Sequence, residues 1–189
     1  MTEERSWSEL DVLRDVSERF ARADIPFMLT GSFAMTYYAQ PRMTRDIDVV
    51  VELRDVPPLL VASIFEPDYY VSDTAISQAL ADQSMFNIVH MASVIKVDLI
   101  VRKRSVYRDL EFKRRQPIRL GDFETWIVSA EDLILSKLHW AKDSRSELQL
   151  RDVDNLLHGQ LDVQYMRQWA SQLGVAELLE ERFNERHST

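Results

Sequence analysis

A chain of 189 residues without a single cysteine is long enough for one good-sized domain, or a core with a small helical appendage, and excludes disulfides, a thiolate nucleophile and cysteine-held zinc. Any metal must be held by oxygen or histidine. The 31 acidic residues outnumber the 23 basic ones for a formal net charge of −8, which argues against a protein that coats nucleic acid without specificity.

The N-terminus, Met1-Thr2-Glu3-Glu4-Arg5, is polar and acidic where a signal peptide needs a basic start and an apolar stretch. No run approaches the ~18 apolar residues of a membrane span. A cytoplasmic location with no membrane partner is the expectation. Ser6-x-x-Glu9 has the form of a capping box, and Leu10, Val12, Leu13, Val16, Phe20 and Ala21 follow at helical spacing, which predicts an amphipathic helix over 8–23. Ile25-Pro26 stops it. Phe27–Thr30 is a short apolar run ending in Gly31, a buried strand turning into a helix over 33–39.

Ile47–Val51 has the β-branched, apolar composition of a central strand, with acids at its entry and second position. Helices are predicted from Pro57-Pro58 to Phe65 and over 73–81, and two hairpin-paired strands at Met85–Met91 and Val94–Val101. From Arg102 to Arg119 eight Lys/Arg face only Asp109 and Glu111, a local charge of +6. That is either a solvated basic surface or a landing strip for RNA or phosphates. Strands at Pro117–Leu120 and Glu124–Val128 come next. Ser129-x-x-Asp132 resembles another capping box, and the rest reads as helices near 130–143, 147–158, 162–173 and 175–186. The expected organisation is an α/β core over 1–128, a mixed central sheet flanked by helices, with a C-terminal helical region over 129–189.

The stretch from Gly31 to Val51 carries the chemistry. Side chains at i and i+2 of a strand share a face, so Asp46 and Asp48 project together. Two adjacent carboxylates repel unless a cation sits between them, and hard oxygen ligands suit Mg²⁺ or Mn²⁺. Asp98 lies between Val97 and Leu99, with Lys96 and Ile100 on its own face. A neighbouring strand could bring it beside the first pair, as an open carboxylate site for one or two metals. Gly31-Ser32, a strand running into a small-residue turn at a helix start, offers backbone N–H groups and a hydroxyl to an anion.

These elements together resemble the nucleotidyltransferase superfamily of DNA polymerase β, whose signature is a Gly-Ser or Gly-Gly turn, then D-x-D or D-x-E, then a third acid between apolar residues. The string Arg42-x-Thr44-x-Asp46-Ile47-Asp48 is similar to the branch containing the abortive-infection nucleotidyltransferase toxins. That branch also carries a helix with a conspicuous lysine and a later R/K-D element, matched by Lys137 within Glu131–Leu138 and by Arg151-Asp152-Val153-Asp154. The branch commonly has a second acid three residues after the R/K-D aspartate, where this chain has Asn155, with Asp154 one residue early.

The resemblance implies transfer of a nucleoside monophosphate from a nucleoside triphosphate (NTP), ATP among the choices, to a hydroxyl of RNA, particularly a tRNA end, or of a protein. It makes Asp46, Asp48 and Asp98 the metal ligands and catalytic acids. Gly31, Ser32, Arg42 and Lys137 would meet the phosphates, and a cognate toxin or antitoxin partner is implied. An antibiotic-like small-molecule acceptor, or a catalytically idle nucleotide-binding module, are the competing readings. His90, His139, His158 and His187 have no metal-ligand spacing. Tyr37, Tyr38 and Trp140 read as packing residues.

Overall fold

The first helix, α1 (Glu9–Arg22), buries Val12, Leu13, Val16 and Phe20 along one side. In the computed structural model, which describes residues 6–39 and 46–187, its cap is Ser8 with Asp11 and not Ser6 with Glu9. The Asp11 amide donates to Ser8 Oγ at 3.2 Å, and the Ser8 amide donates back to Asp11 Oδ2 at 3.0 Å. The reason lies one residue earlier. Trp7 packs against His90 with ring centroids 4.3 Å apart and the rings tilted by 46°, and Ser8, next in the chain, is the extended residue that caps the helix.

The remaining elements follow in order: β1 (Phe27–Thr30), α2 (Gly31–Tyr38), β2 (Ile47–Val51), α3 (Pro58–Phe65), β3 (Tyr69–Tyr70), α4 (Asp73–Asp82), β4 (Met85–His90), β5 (Lys96–Val101), α5 (Val106–Lys113), β6 (Gln116–Leu120), β7 (Phe123–Ile127), α6 (Ala130–Ser144), α7 (Glu147–Leu156), α8 (Val163–Leu173) and α9 (Ala176–His187). The described residues form two compact units, one of residues 6–33 and 46–127, the other of residues 34–39 and 128–187.

The first unit holds a mixed sheet, seven-stranded among the described residues, in the order β3-β4-β5-β2-β1-β7-β6. β2 runs parallel to β5 and antiparallel to β1, and β7 runs parallel to β1. Sequence composition marked β2 as a central strand, and it lies between β5 and β1. Its burial alternates: Ile47, Val49 and Val51 are buried, Asp48 and Val50 only partly. Val97, Leu99, Phe86 and Ile88 on β5 and β4 continue the buried face, so Asp48 and Asp98, in register on neighbouring strands, lie on the other.

Two elements were not legible in the sequence. β3 is only two residues long. Helix α5 lies inside the basic stretch, capped by Ser105 Oγ, which accepts from the Arg108 amide at 3.2 Å, and it buries Tyr107, Glu111 and Phe112. The cations around it masked its short apolar stripe. They are also partly neutralised at home: Arg102 pairs with Glu52 and Asp109, and Arg108 Nη1 donates to Glu111 Oε1 at 2.7 Å. Arg115 lies over the rings of Phe112 and Trp126, at 4.4 and 4.9 Å.

His90, at the end of β4, is 3% exposed. Its ring meets Trp7 and Tyr69, and Nδ1 is 2.8 Å from Ser93 Oγ. Burial holds its pKa below the usual 6.5, against the pull of Asp15 and Asp68 and with help from Arg19. The unfolded chain therefore binds the proton first as pH falls, and stability drops below about pH 6.5 until the native pKa is reached. Thermal melts between pH 7.5 and 5 are expected to show this decline, and His90→Asn to flatten it while lowering the melting temperature at pH 7.5.

In the second unit, α6 packs on α7, α8 and α9. Asp132 is fully buried there with both oxygens satisfied: Ser129 Oγ donates to Oδ2 at 2.7 Å and Tyr165 Oη to Oδ1 at 2.6 Å. Tyr38 Oη donates to the Val128 carbonyl at 2.7 Å. Tyr37 and Trp140, expected to fill a core, are instead 48% and 69% exposed, because each falls on the solvent side of its helix. Among the described residues no helix is long and apolar enough to cross a membrane.

Candidate active site

The alternation of β2 sets Asp46 and Asp48 on its open face, and the parallel register with β5 places Asp48 opposite Asp98. Thr30 of β1 stands opposite Asp48 on the other side, and Asn87 of β4 opposite Asp98. Facing residues of neighbouring strands share a side of the sheet, so Thr30, Asp48, Asp98 and Asn87 form one transverse row. One row further on, Asp46 and Lys96 join them.

The three acids differ in environment. Asp46 is exposed, Asp48 half-buried, and Asp98 only 6% exposed. Lys96 Nζ donates to Asp98 Oδ2 at 2.8 Å and lies 3.8 Å from Asp46 Oδ1. Its pKa is raised, first by the bond to Asp98, with burial opposing and Asp46 and Asp48 adding to the rise. Sequence spacing put Lys96 on the face of Asp98 but assigned it no role. Only the pairing of β2 with β5 reveals that it also reaches Asp46.

Gly31 opens α2 at φ +64°, in the left-handed region. A Cβ built there would meet Asp48 Oδ2 at 2.1 Å and Asp48 Cγ at 2.6 Å. Glycine is thus required twice, once by the backbone and once by the carboxylate. Ser32 is the next residue of the same helix. Gly31→Ala is expected to cost about 1–3 kcal/mol of stability and to displace Asp48. Calorimetry and the transfer assay below should register both effects, the activity loss being the larger.

Arg42 lies outside the described residues. Lys137 is in the second unit, 4% exposed, and its ammonium donates to Asp152 Oδ2 at 2.7 Å and Gln149 Oε1 at 3.3 Å. Asp154 is engaged by Arg182 Nη1 at 3.5 Å, and burial raises its pKa.

This architecture matches several solved structures at low sequence identity. An antigenic nucleotidyltransferase-like protein from Paracoccidioides brasiliensis superposes with a TM-score of 0.55 at 15% identity, covering 95% of this chain and 94% of the other. The lincosamide antibiotic adenylyltransferase LnuA, in its lincomycin-bound form, gives 0.52 at 14% identity over 79% and 94%. The antibiotic-resistance factor ANT(2'')-Ia gives 0.51 at 12% identity over 95% and 93%. The fold is that of the nucleotidyltransferases. Comparison of the sequence with protein-family models and with curated proteins gives no match.

On this nucleotidyltransferase fold the acids can be tested as a cation site. Asp98 Oδ1 is buried and has no hydrogen-bond partner, an arrangement that normally costs free energy unless a ligand completes it. An ammonium already sits against two of the three acids. Among the described residues no group of three acid or histidine side chains stands ready-made for a metal, and Lys96 occupies Asp98 Oδ2. The chemistry of the donor set nevertheless suits Mg²⁺ or Mn²⁺: the three carboxylates offer only oxygen, and Asp46 among them is exposed.

Proposed function

We propose that the chain is a metal-dependent nucleotidyltransferase, moving a nucleoside monophosphate from an NTP to an acceptor hydroxyl with release of pyrophosphate. The observation that carries this reading is the β2–β5 register, which sets Asp48 opposite Asp98 on an open sheet face. Asp46, Asp48 and Asp98 would hold Mg²⁺ or Mn²⁺, which when bound supplies charge neutralisation for the triphosphate and the departing pyrophosphate.

The chain's own groups account for the rest. Asp98 is the least hydrated of the three acids and keeps one oxygen without a partner. It is therefore suited to take the acceptor's proton as the new oxygen–phosphorus bond forms and the bond to pyrophosphate breaks. The missing side chain at Gly31 leaves Asp48 its position, and Ser32, at the first turn of α2, would orient phosphate oxygens. Arg42 is assigned to the same phosphates on the sequence resemblance alone.

For the acceptor, the resemblance to abortive-infection toxins favours a hydroxyl of RNA, a tRNA end among them, or of a protein, with an antitoxin-type partner controlling the activity. A small cationic acceptor is a second reading, favoured by two observations. The basic stretch is partly neutralised within the fold by Glu52, Asp109 and Glu111. Two of the similar structures are an antibiotic adenylyltransferase and an antibiotic-resistance factor.

The test is incubation with each α-labelled NTP and Mg²⁺ in the presence of total RNA, total protein or a panel of aminoglycosides and lincosamides, beside an Asp46→Ala/Asp48→Ala control. Label entering RNA or protein only with the unmutated chain supports the first acceptor class, and label on a small molecule the second. Triphosphate binding with no transfer to any acceptor would overturn the enzyme reading in favour of an idle nucleotide-binding module.

A further inference from the structure

Three acids gathered on one sheet face repel one another, and the fold answers with a cation from within the cluster. Lys96 opens β5 two residues before Asp98, so period-two alternation brings its ammonium to the acids' face. There it bonds Asp98 Oδ2 at 2.8 Å and approaches Asp46 Oδ1 at 3.8 Å, while its own side chain stays 41% exposed. The ammonium is engaged by the acids while the side chain as a whole keeps contact with solvent. Beside it, Asp98 Oδ1 is buried without a partner.

We infer that Lys96 is a built-in counter-ion that occupies the carboxylates' shared cation position until a divalent ion arrives with its triphosphate, and that it then passes from Asp98 to the phosphates. The inference rests on reading these acids as metal ligands. Asp98 Oδ2 cannot serve both cations at close range. A divalent ion in the cluster repels the ammonium twice as strongly as a monovalent one at the same distance. Mg²⁺ also draws its oxygens to about 2.0–2.1 Å, nearer than the ammonium comes.

With a divalent ion alone among these acids, the Lys96 ammonium would face a like charge beside Asp98 and Asp46, and its hold on Asp98 would weaken. Metal with triphosphate supplies a replacement, because the triphosphate brings more negative charge than one divalent ion cancels. A flexible lysine stem can follow it, holding a charge at adjustable reach. The consequence is thermodynamic coupling: each ligand tightens the other by the same factor. Lys96 thus acts as a positioning residue that links metal loading to nucleotide binding.

The experiment is Mn²⁺ binding to the full chain by electron paramagnetic resonance, with and without a non-hydrolysable NTP analogue. It compares the unmutated protein with Lys96→Gln, which keeps a donor for Asp98 and removes the charge, with Lys96→Met, and with Lys96→Arg, which keeps the charge. The analogue is expected to tighten Mn²⁺ about 10-fold or more in the unmutated protein. Lys96→Gln and Lys96→Met should bind Mn²⁺ alone about 10-fold tighter than the unmutated chain and lose most of that coupling, while Lys96→Arg retains it. In EDTA the two neutral variants should also melt at lower temperature, with Mn²⁺ restoring them.

Equal Mn²⁺ affinity and equal coupling in all four proteins would overturn the role of Lys96 and leave the metal reading standing. Absence of Mn²⁺ binding in every one of them, with or without analogue, would overturn both.

Discussion

Replacing Asp48 with asparagine is expected to lower nucleotidyl transfer at least about 10³-fold, while the melting temperature stays within about 3 °C of the unmutated value. The two readouts separate because of where Asp48 stands. It is half-buried, directly opposite Asp98 in the β2–β5 register and two residues from Asp46. Removing one of three like charges relieves repulsion, and asparagine keeps nearly the same volume. In the proposed role as a metal ligand it has no substitute, because an amide does not hold a hard divalent cation as a carboxylate does. Asp98→Asn should behave differently. Asp98 is buried and is the closest partner of Lys96, so its loss is expected to cost about 1–3 kcal/mol in addition to activity. Labelled-nucleotide transfer and calorimetry on the two variants check both claims. Residual transfer above a tenth of normal in Asp48→Asn would end the metal-ligand assignment.

Lys137→Met is expected to be the most damaging single change to stability, at about 3–5 kcal/mol, or roughly 6–20 °C in melting temperature for a chain of this size. The ammonium is 4% exposed and 2.7 Å from Asp152 Oδ2, which is itself 1% exposed. Removing one partner leaves a buried carboxylate whose charge no longer has its closest counter-ion. The pair Lys137→Met/Asp152→Leu should recover most of the loss, because replacing both ions with apolar groups of similar volume is often neutral. That double variant also asks whether Lys137 meets phosphate. Since its ammonium is committed to Asp152 and Gln149, KM for the NTP is expected to stay within about twofold of normal. A rise of tenfold or more would assign the ammonium to the nucleotide.

The legibility of this protein follows the range of the interactions involved. Local rules were sufficient for most elements. Helical spacing in Val12, Leu13, Val16 and Phe20 marked α1, and the β-branched run Ile47–Val51 marked β2. A serine three residues ahead of an acid marked the start of α6, where Ser129 Oγ accepts from the Asp132 amide. Where the local rule had rivals it failed. Ser6 and Ser8 both precede an acid by three residues, and the choice fell to Ser8 through a ring contact with His90, far along the chain. Helix α5 was hidden because the Lys and Arg residues flanking it between Arg102 and Arg119 outnumber its buried Tyr107 and Phe112.

The site divides in the same way. By itself the sequence determined that Asp46 and Asp48 share a strand face, that Asp98 lies in a second apolar strand, and that Gly31 stands where a turn enters a helix, because alternation and turn chemistry act over a few residues. Only the tertiary structure decided that Asp48 and Asp98 face each other, that Gly31 is bare because Asp48 fills the space of its Cβ, and that Lys96 bridges Asp98 and Asp46. It alone matched Lys137 with Asp152, 15 residues on. Strand register and helix packing set those distances, and both depend on which buried faces meet, a choice made by the whole core rather than by any segment of it.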